Sequence, residues 1–183
     1  MAKRMKQIAC IVTVIAIFCI TLYLHTENGT VLTLAITFGT TSYHFIMRLL
    51  VGFGINRLLK NHVNYTRRWF YVSSAEQTLY RILKVKKWKG KIPTYNPEYF
   101  DSRTRTWDEI AQAMCQAELV HETIIFLSFV PLLAAIPFGA LPVFILTSVI
   151  AAGYDAIFVM MQRYNRPRIV KLIEKQRTIE NTK

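Results

Sequence analysis

Apolar residues fall in four long runs, Ile8–Leu24, Val31–Ile55, Thr123–Phe138 and Pro142–Met161. Each approaches the ~17–25 residues that carry a helix across a bilayer, the third being a little short. Between the second and third runs, over Asn56–Glu122, the pattern changes. Ser73 and Glu76 form a capping box, and Leu79, Ile82 and Leu83 follow at helical spacing. This predicts a short amphipathic helix lying on the membrane surface. Thr106 and Glu109 form a second capping box, and a helical pattern runs from Trp107 into the third run without interruption. Only Gly139–Leu141 separates the third run from the fourth, which dictates an antiparallel hairpin. The pattern predicts an all-α integral membrane protein of one domain, with four transmembrane helices, a cytosolic segment over 56–122 and a tail over 162–183.

Charge orients these elements. The 183-residue chain is 52% hydrophobic yet carries a formal charge of +12. Three Lys or Arg precede the first run, twelve lie between Arg57 and Arg105, and seven from Arg163 onward. The connections 26–30 and 139–141 contain none. The positive-inside rule then places both termini and the middle segment in the cytosol, in the cell membrane. The first run has no small-x-small site after it and reads as a retained anchor. Such a basic balance points to orientation and anionic headgroups, not nucleic acid. Three widely spaced cysteines without Cys-x-x-Cys argue against a zinc site or disulfide framework and read as packing residues. Asn28-Gly29-Thr30 matches a glycosylation acceptor, a tripeptide that also arises by chance.

Several polar groups stand where chemistry would need them. Glu118, His121 and Glu122 share one helix face just before the third run. They either end the span as interfacial residues or form a general base, His121, oriented by a carboxylate. Counting ~1.5 Å per residue, His121 lies roughly 28 Å from the hairpin turn, and the same distance forward reaches Val159. The stretch "QRYNRPR", Gln162–Arg168, follows directly, so His121 and this cluster should sit at one depth on neighbouring helices. "KVKKWKGKIP", Lys84–Pro93, is a lipid-contacting collar or a cradle for a phosphorylated donor. Inside the runs lie His44 and Arg48, four apart, and Asp155. Ionisable groups at that depth are functional candidates by default. Arg48 and Asp155 either pair across the bundle or line a polar cavity, and the pairing is compatible with function.

"LYRILKVKKWKGKIP", "AELVHE" and "MQRYNRPRI", in this order and spacing over about Tyr80–Lys175, resemble the glycosyl-4,4'-diaponeurosporenoate acyltransferases of carotenoid pigment synthesis. That resemblance implies a small membrane enzyme moving a fatty acyl group onto a sugar hydroxyl of a glycosylated lipid. Carried over by position, it implicates Lys86, Lys87, Trp88, Lys89, Glu118, His121, Gln162, Arg163, Tyr164, Asn165, Arg166, Pro167 and Arg168. On this reading His121 takes the acceptor's proton, Glu118 or Glu122 orients it, and Asn165 donates to the oxyanion. Arg163, Tyr164, Arg166, Arg168, Lys86, Lys87, Trp88 and Lys89 bind the donor, which is acyl-CoA or an acyl carrier protein. His44, Arg48 and Asp155 complete the substrate-binding set, and no tightly bound cofactor or metal is expected. The partners are membrane lipids, a lipid or glycolipid acceptor and the acyl donor. No His-x-x-x-x-Asp motif accompanies His44, His62 or His121. Two other readings stand beside this one: a small S-adenosylmethionine-dependent membrane methyltransferase, and a non-enzymatic subunit that binds lipid or a partner.

Overall fold

The computed structural model describes residues 2–92 and 94–182, so Pro93, the end of the lysine-rich motif, lies outside the described residues. Among the described residues seven α-helices follow in order: α1 Ala2–Thr26, α2 Gly29–Leu59, α3 Ser74–Ile82, α4 Val85–Trp88, α5 Trp107–Leu127, α6 Ala135–Phe138 and α7 Leu141–Glu180. Short 3₁₀ turns fill several gaps, and the described residues contain no strand. Four helical stretches are long and apolar enough to cross a membrane, ending at Thr26, Leu59, Phe138 and Glu180. The chain divides into two compact units. One runs to Phe53 and takes in Thr123–Asp155; the other comprises Gly54–Glu122 and the residues from Ala156 onward.

In the first unit, the turn between α1 and α2 places Glu27 at a positive φ of 49°. Asn28 then caps α2, its Oδ1 accepting from the amide N–H groups of Thr30 and Val31 at 2.8 and 3.4 Å. The Asn-Gly-Thr tripeptide is therefore a helix start. Thr13 and Ser42 hydroxyls meet at 2.7 Å and tie α1 to α2. The helix that runs from Trp107 into the third apolar run does not continue through it. Regular α-helix stops at Leu127, and a 3₁₀ turn over Val130–Ala134 leads into α6. Pro131 is the cause, because it has no N–H for the carbonyl four residues back and its ring collides with that carbonyl. That carbonyl belongs to Leu127, and the Tyr43 hydroxyl donates to it at 2.9 Å. The hairpin turn uses Gly139 and Ala140, both at positive φ (67° and 49°).

In the second unit, both capping boxes form. Ser73 Oγ accepts from the Glu76 amide at 3.2 Å and starts α3. Thr106 and Glu109 exchange both bonds, at 3.2 and 2.8 Å, to start α5. Tyr80 of α3 is buried with Val72 and Val85, against Trp88, Met160 and Tyr164, while Leu79, Ile82 and Leu83 are exposed. A second small core gathers Val63, Phe70 and Cys115, with Leu59, Tyr65 and Leu119 packed on it. The Gln116 side chain clasps the end of α2, accepting from the Asn61 amide at 2.6 Å and donating to Asn56 Oδ1 at 3.1 Å. The last apolar run does not end as a helix where its apolar residues end. α7 continues through Pro167 to Glu180, 40 residues, or about 60 Å of helix.

Candidate functional site

The second unit brings together most of the sequence-predicted residues, and it does so around one buried carboxylate. Glu118 on α5 has no exposed surface, and each of its oxygens accepts from a different arginine of α7. Arg163 Nη1 meets Oε1 at 2.6 Å, and Arg166 Nη1 meets Oε2. Residues three apart on a helix share a face, so Arg163 and Arg166 reach the same carboxylate from one side of α7. The same guanidinium of Arg163 grips Glu76 on α3, at 2.5 and 3.0 Å. It also donates to the carbonyls of Trp69 and Tyr71, at 3.2 and 2.9 Å. All five N–H donors of Arg163 are thus engaged by protein acceptors. Arg166 is 2% exposed, donates to the Phe70 carbonyl and lies over the Phe70 ring at 5.0 Å.

Two of the expected roles meet a competing arrangement. Arg163 and Arg166 turn donors toward protein acceptors and hold the 68–76 segment, α5 and α7 together. Glu118, whose two oxygens receive those guanidinium groups, serves the arginines. The cause is charge balance: a buried guanidinium demands a carboxylate and carbonyl oxygens around it, and this fold supplies them. Burial raises the Glu76 carboxyl, but hydrogen bonds from Arg163 and Tyr80 outweigh it and hold the group below the usual carboxylate range. Burial, followed by the neighbouring Glu76, pushes the Tyr80 phenol up.

His121 lies one turn beyond Glu118 on α5, half-buried, with its ring stacked on Phe158 at 4.6 Å and 10° between planes. The partner is one residue from the position that helix counting singles out, Val159, so the depth argument holds to within a residue. Glu122 accepts from the Trp69 indole N–H at 2.8 Å. Asn165 accepts a hydrogen bond at Oδ1 from the Lys89 ammonium. An ammonium can only donate, so this contact fixes the amide with Nδ2 as its outward donor. Lys89 also lies over the Tyr164 ring at 5.0 Å. Burial, then the charges of Arg168 and Lys86, push the Lys89 ammonium below its ordinary value. Trp88 belongs to the small core and donates to the Leu83 carbonyl at 3.0 Å, a packing role. Gln162 is buried.

Beside this network lies a basic cleft of about 470 Å³. Arg81, Lys84, Lys86, Lys87, Arg168 and Lys171 supply its charge, and Val72, Tyr80, Tyr164 and Pro167 its apolar wall. Arg168 is exposed, sits over Tyr164 at 4.5 Å and donates to its hydroxyl at 2.7 Å. Lys86, Lys87, Tyr164 and Arg168 thus line one cleft. Lys84 comes from the same lysine motif, and Arg81 and Lys171 are additions. The signal for Lys171 was available, since it falls three and four residues after Arg168 and Pro167 on one face of α7.

The first unit holds the other predicted residues. Arg48 and Asp155 pair, with Nη2–Oδ2 at 2.5 Å and Nε–Oδ2 at 3.0 Å, and Arg48 also donates to the carbonyls of His44 and Ala151, both at 3.1 Å. Of the two alternatives open for these charges, the pairing is the one formed. His44 is buried one turn before Arg48 on α2. Among the described residues no group of three or more His, Cys, Asp or Glu is placed to hold a metal ion.

No curated protein and no solved structure matches this chain. Residues 65–175, more than half of it, match the family model described as glycosyl-4,4'-diaponeurosporenoate acyltransferase, and that span contains the lysine motif, the Glu118–His121 face and the arginine cluster. Membership decides between the three functional readings in favour of acyl transfer: the chain belongs to the glycosyl-4,4'-diaponeurosporenoate acyltransferase family and is an acyltransferase.

Proposed function

We propose that the protein moves a fatty acyl group from a thioester donor to a hydroxyl of a glycolipid-like or other lipid acceptor at the cytosolic face of the cell membrane. One observation carries this reading. The Arg163 side chain lines the basic cleft and also grips Glu118, one turn from His121, so an anion site and a titratable base are built on one rigid network. The cleft's lysines and arginines suit the phosphates of acyl-CoA or the acidic surface of an acyl carrier protein. Arg81, Lys84, Lys86, Lys87, Arg168 and Lys171 replace Arg163 and Arg166 in that role.

In this mechanism His121 accepts the proton of the acceptor hydroxyl as its oxygen attacks the thioester carbonyl. Asn165, held by Lys89, donates from Nδ2 to the oxygen that becomes negative. The carbon–sulfur bond then breaks, the ester is complete, and the leaving thiolate recovers the proton from the imidazolium. Stacking on Phe158 keeps the imidazole plane fixed through both transfers.

The test uses the purified protein in lipid nanodiscs with labelled palmitoyl-CoA and extracted lipid acceptors. His121→Ala should lower turnover by ~10²–10⁴ while palmitoyl-CoA still binds. The double variant Lys84→Glu/Lys87→Glu should raise the apparent KM and weaken its dependence on salt, with a smaller change in kcat. Normal turnover in His121→Ala overturns the mechanism.

A further inference from the structure

Three buried side-chain atoms have no hydrogen-bond partner among the described residues: both ring nitrogens of His44 and the Ser148 hydroxyl oxygen. His44 is 5% exposed and Ser148 has no exposed surface. Each such group is costly when it is left unsatisfied, and native proteins rarely tolerate it. Two on one pair of helices call for a reason.

Their register places them together. Arg48 donates from one nitrogen to the His44 carbonyl and from another to the Ala151 carbonyl, each at 3.1 Å. One guanidinium therefore bridges the two helices, and His44 and Ala151 lie at one level. Ser148 precedes Ala151 by three residues, a rise of ~4.5 Å. The buried positions agree. On α2, Ile36, Thr40, His44 and Met47 follow at helical spacing, and on α7 Ser148, Ala151, Ala152 and Asp155 do the same. Neighbouring polar groups are satisfied locally: the Thr40 hydroxyl donates to the Ile36 carbonyl at 2.7 Å and the Thr147 hydroxyl to that of Val143 at 2.8 Å. Ser148 forms no such bond back to its own helix, and neither nitrogen of His44 is used.

We propose that His44 and Ser148 form an intramembrane binding site for one uncharged hydrogen-bonding group, a hydroxyl or an ester carbonyl, on an otherwise apolar lipid. The group is uncharged because Arg48 and Asp155 already cancel each other beside it, with Nη2 and Oδ2 at 2.5 Å. A carboxylate or phosphate would arrive there without a counter-ion, a costly arrangement at such depth. A hydroxyl can donate to one nitrogen or oxygen and accept from another. The proposal stands independently of which residues carry out acyl transfer.

The experiment compares three probes of one chain length, 1-hexadecanol, hexadecane and palmitate, added to the full-length protein in nanodiscs. The readouts are the ¹⁵N resonances of His44 in ¹⁵N-histidine-labelled protein, assigned with His44→Gln, and the thermal unfolding midpoint. Hexadecanol should move the His44 resonances and raise the midpoint, and hexadecane and palmitate should not. Ser148→Ala should weaken hexadecanol binding about two- to tenfold, the loss of one neutral hydrogen bond. Equal responses to hexadecanol and hexadecane, or none to either, overturn the proposal. So does a Ser148→Ala variant that binds hexadecanol as the wild type does.

Discussion

At the scale of single residues, the most consequential group is Glu118, a carboxylate shared by two arginines and closed off from solvent. Its removal leaves two guanidinium groups with half their counter-charge. Glu118→Ala should therefore cost ~3–5 kcal/mol of stability, read as a lower unfolding midpoint in detergent. Adding Arg166→Met to that variant should recover part of the loss; no recovery would show that the two are not coupled. Glu76 gives a pH dependence. Its folded-state pKa lies below the ordinary carboxylate value of 4.5, so its pair with Arg163 stabilises the fold above that pH and the contribution disappears as pH falls through the lowered value. The unfolding midpoint of wild type should drop more steeply with acid than that of Glu76→Gln. The roles of these residues illustrate what a sequence leaves out. Arg163 and Arg166 read as phosphate ligands because a run of cations does not say who neutralises it. Their acceptors, Glu76, Glu118 and the Phe70 carbonyl, stand 87, 45 and 96 residues away along the chain. His121 was legible because helix rise and a three-residue turn fix its depth, and its ring meets Phe158 within one residue of the expected position.

At the scale of elements, hydropathy and capping chemistry account for most of the fold. The four apolar stretches, both N-terminal capping boxes and the antiparallel turn at Gly139 and Ala140 all follow from local rules. The break after Leu127 does not follow from hydropathy, because Phe129–Leu133 remains apolar; only Pro131 signals it. Its consequence is testable. Tyr43→Phe removes the hydroxyl that serves the Leu127 carbonyl and should cost ~1 kcal/mol. In a Pro131→Ala background the amide at 131 can serve that carbonyl instead, so the same tyrosine change should become nearly neutral. An equal loss in both backgrounds would show that the proline does not set up the bond. α4 and the 3₁₀ turns between Trp88 and Phe100 escape sequence analysis for a simpler reason: each spans one turn, too short for a period to declare itself.

At the scale of the whole molecule, the asymmetry of Lys and Arg predicts both termini and the 56–122 segment on the cytosolic side. Topology reporters fused at His25 and at Lys91 should report opposite sides of the membrane. The same side for both would rule out four crossings. The arginine clasp has a further consequence, in time. Glu76 leaves the ribosome 87 residues before the arginine that neutralises it. At ~5–20 residues per second, that is roughly 4–17 s of synthesis. Throughout that interval the amphipathic segment is made but has nothing to close upon. The arginine clasp is therefore closed late, and a chain truncated just before Arg163 should leave residues 68–76 open to protease even though all four apolar runs are already made.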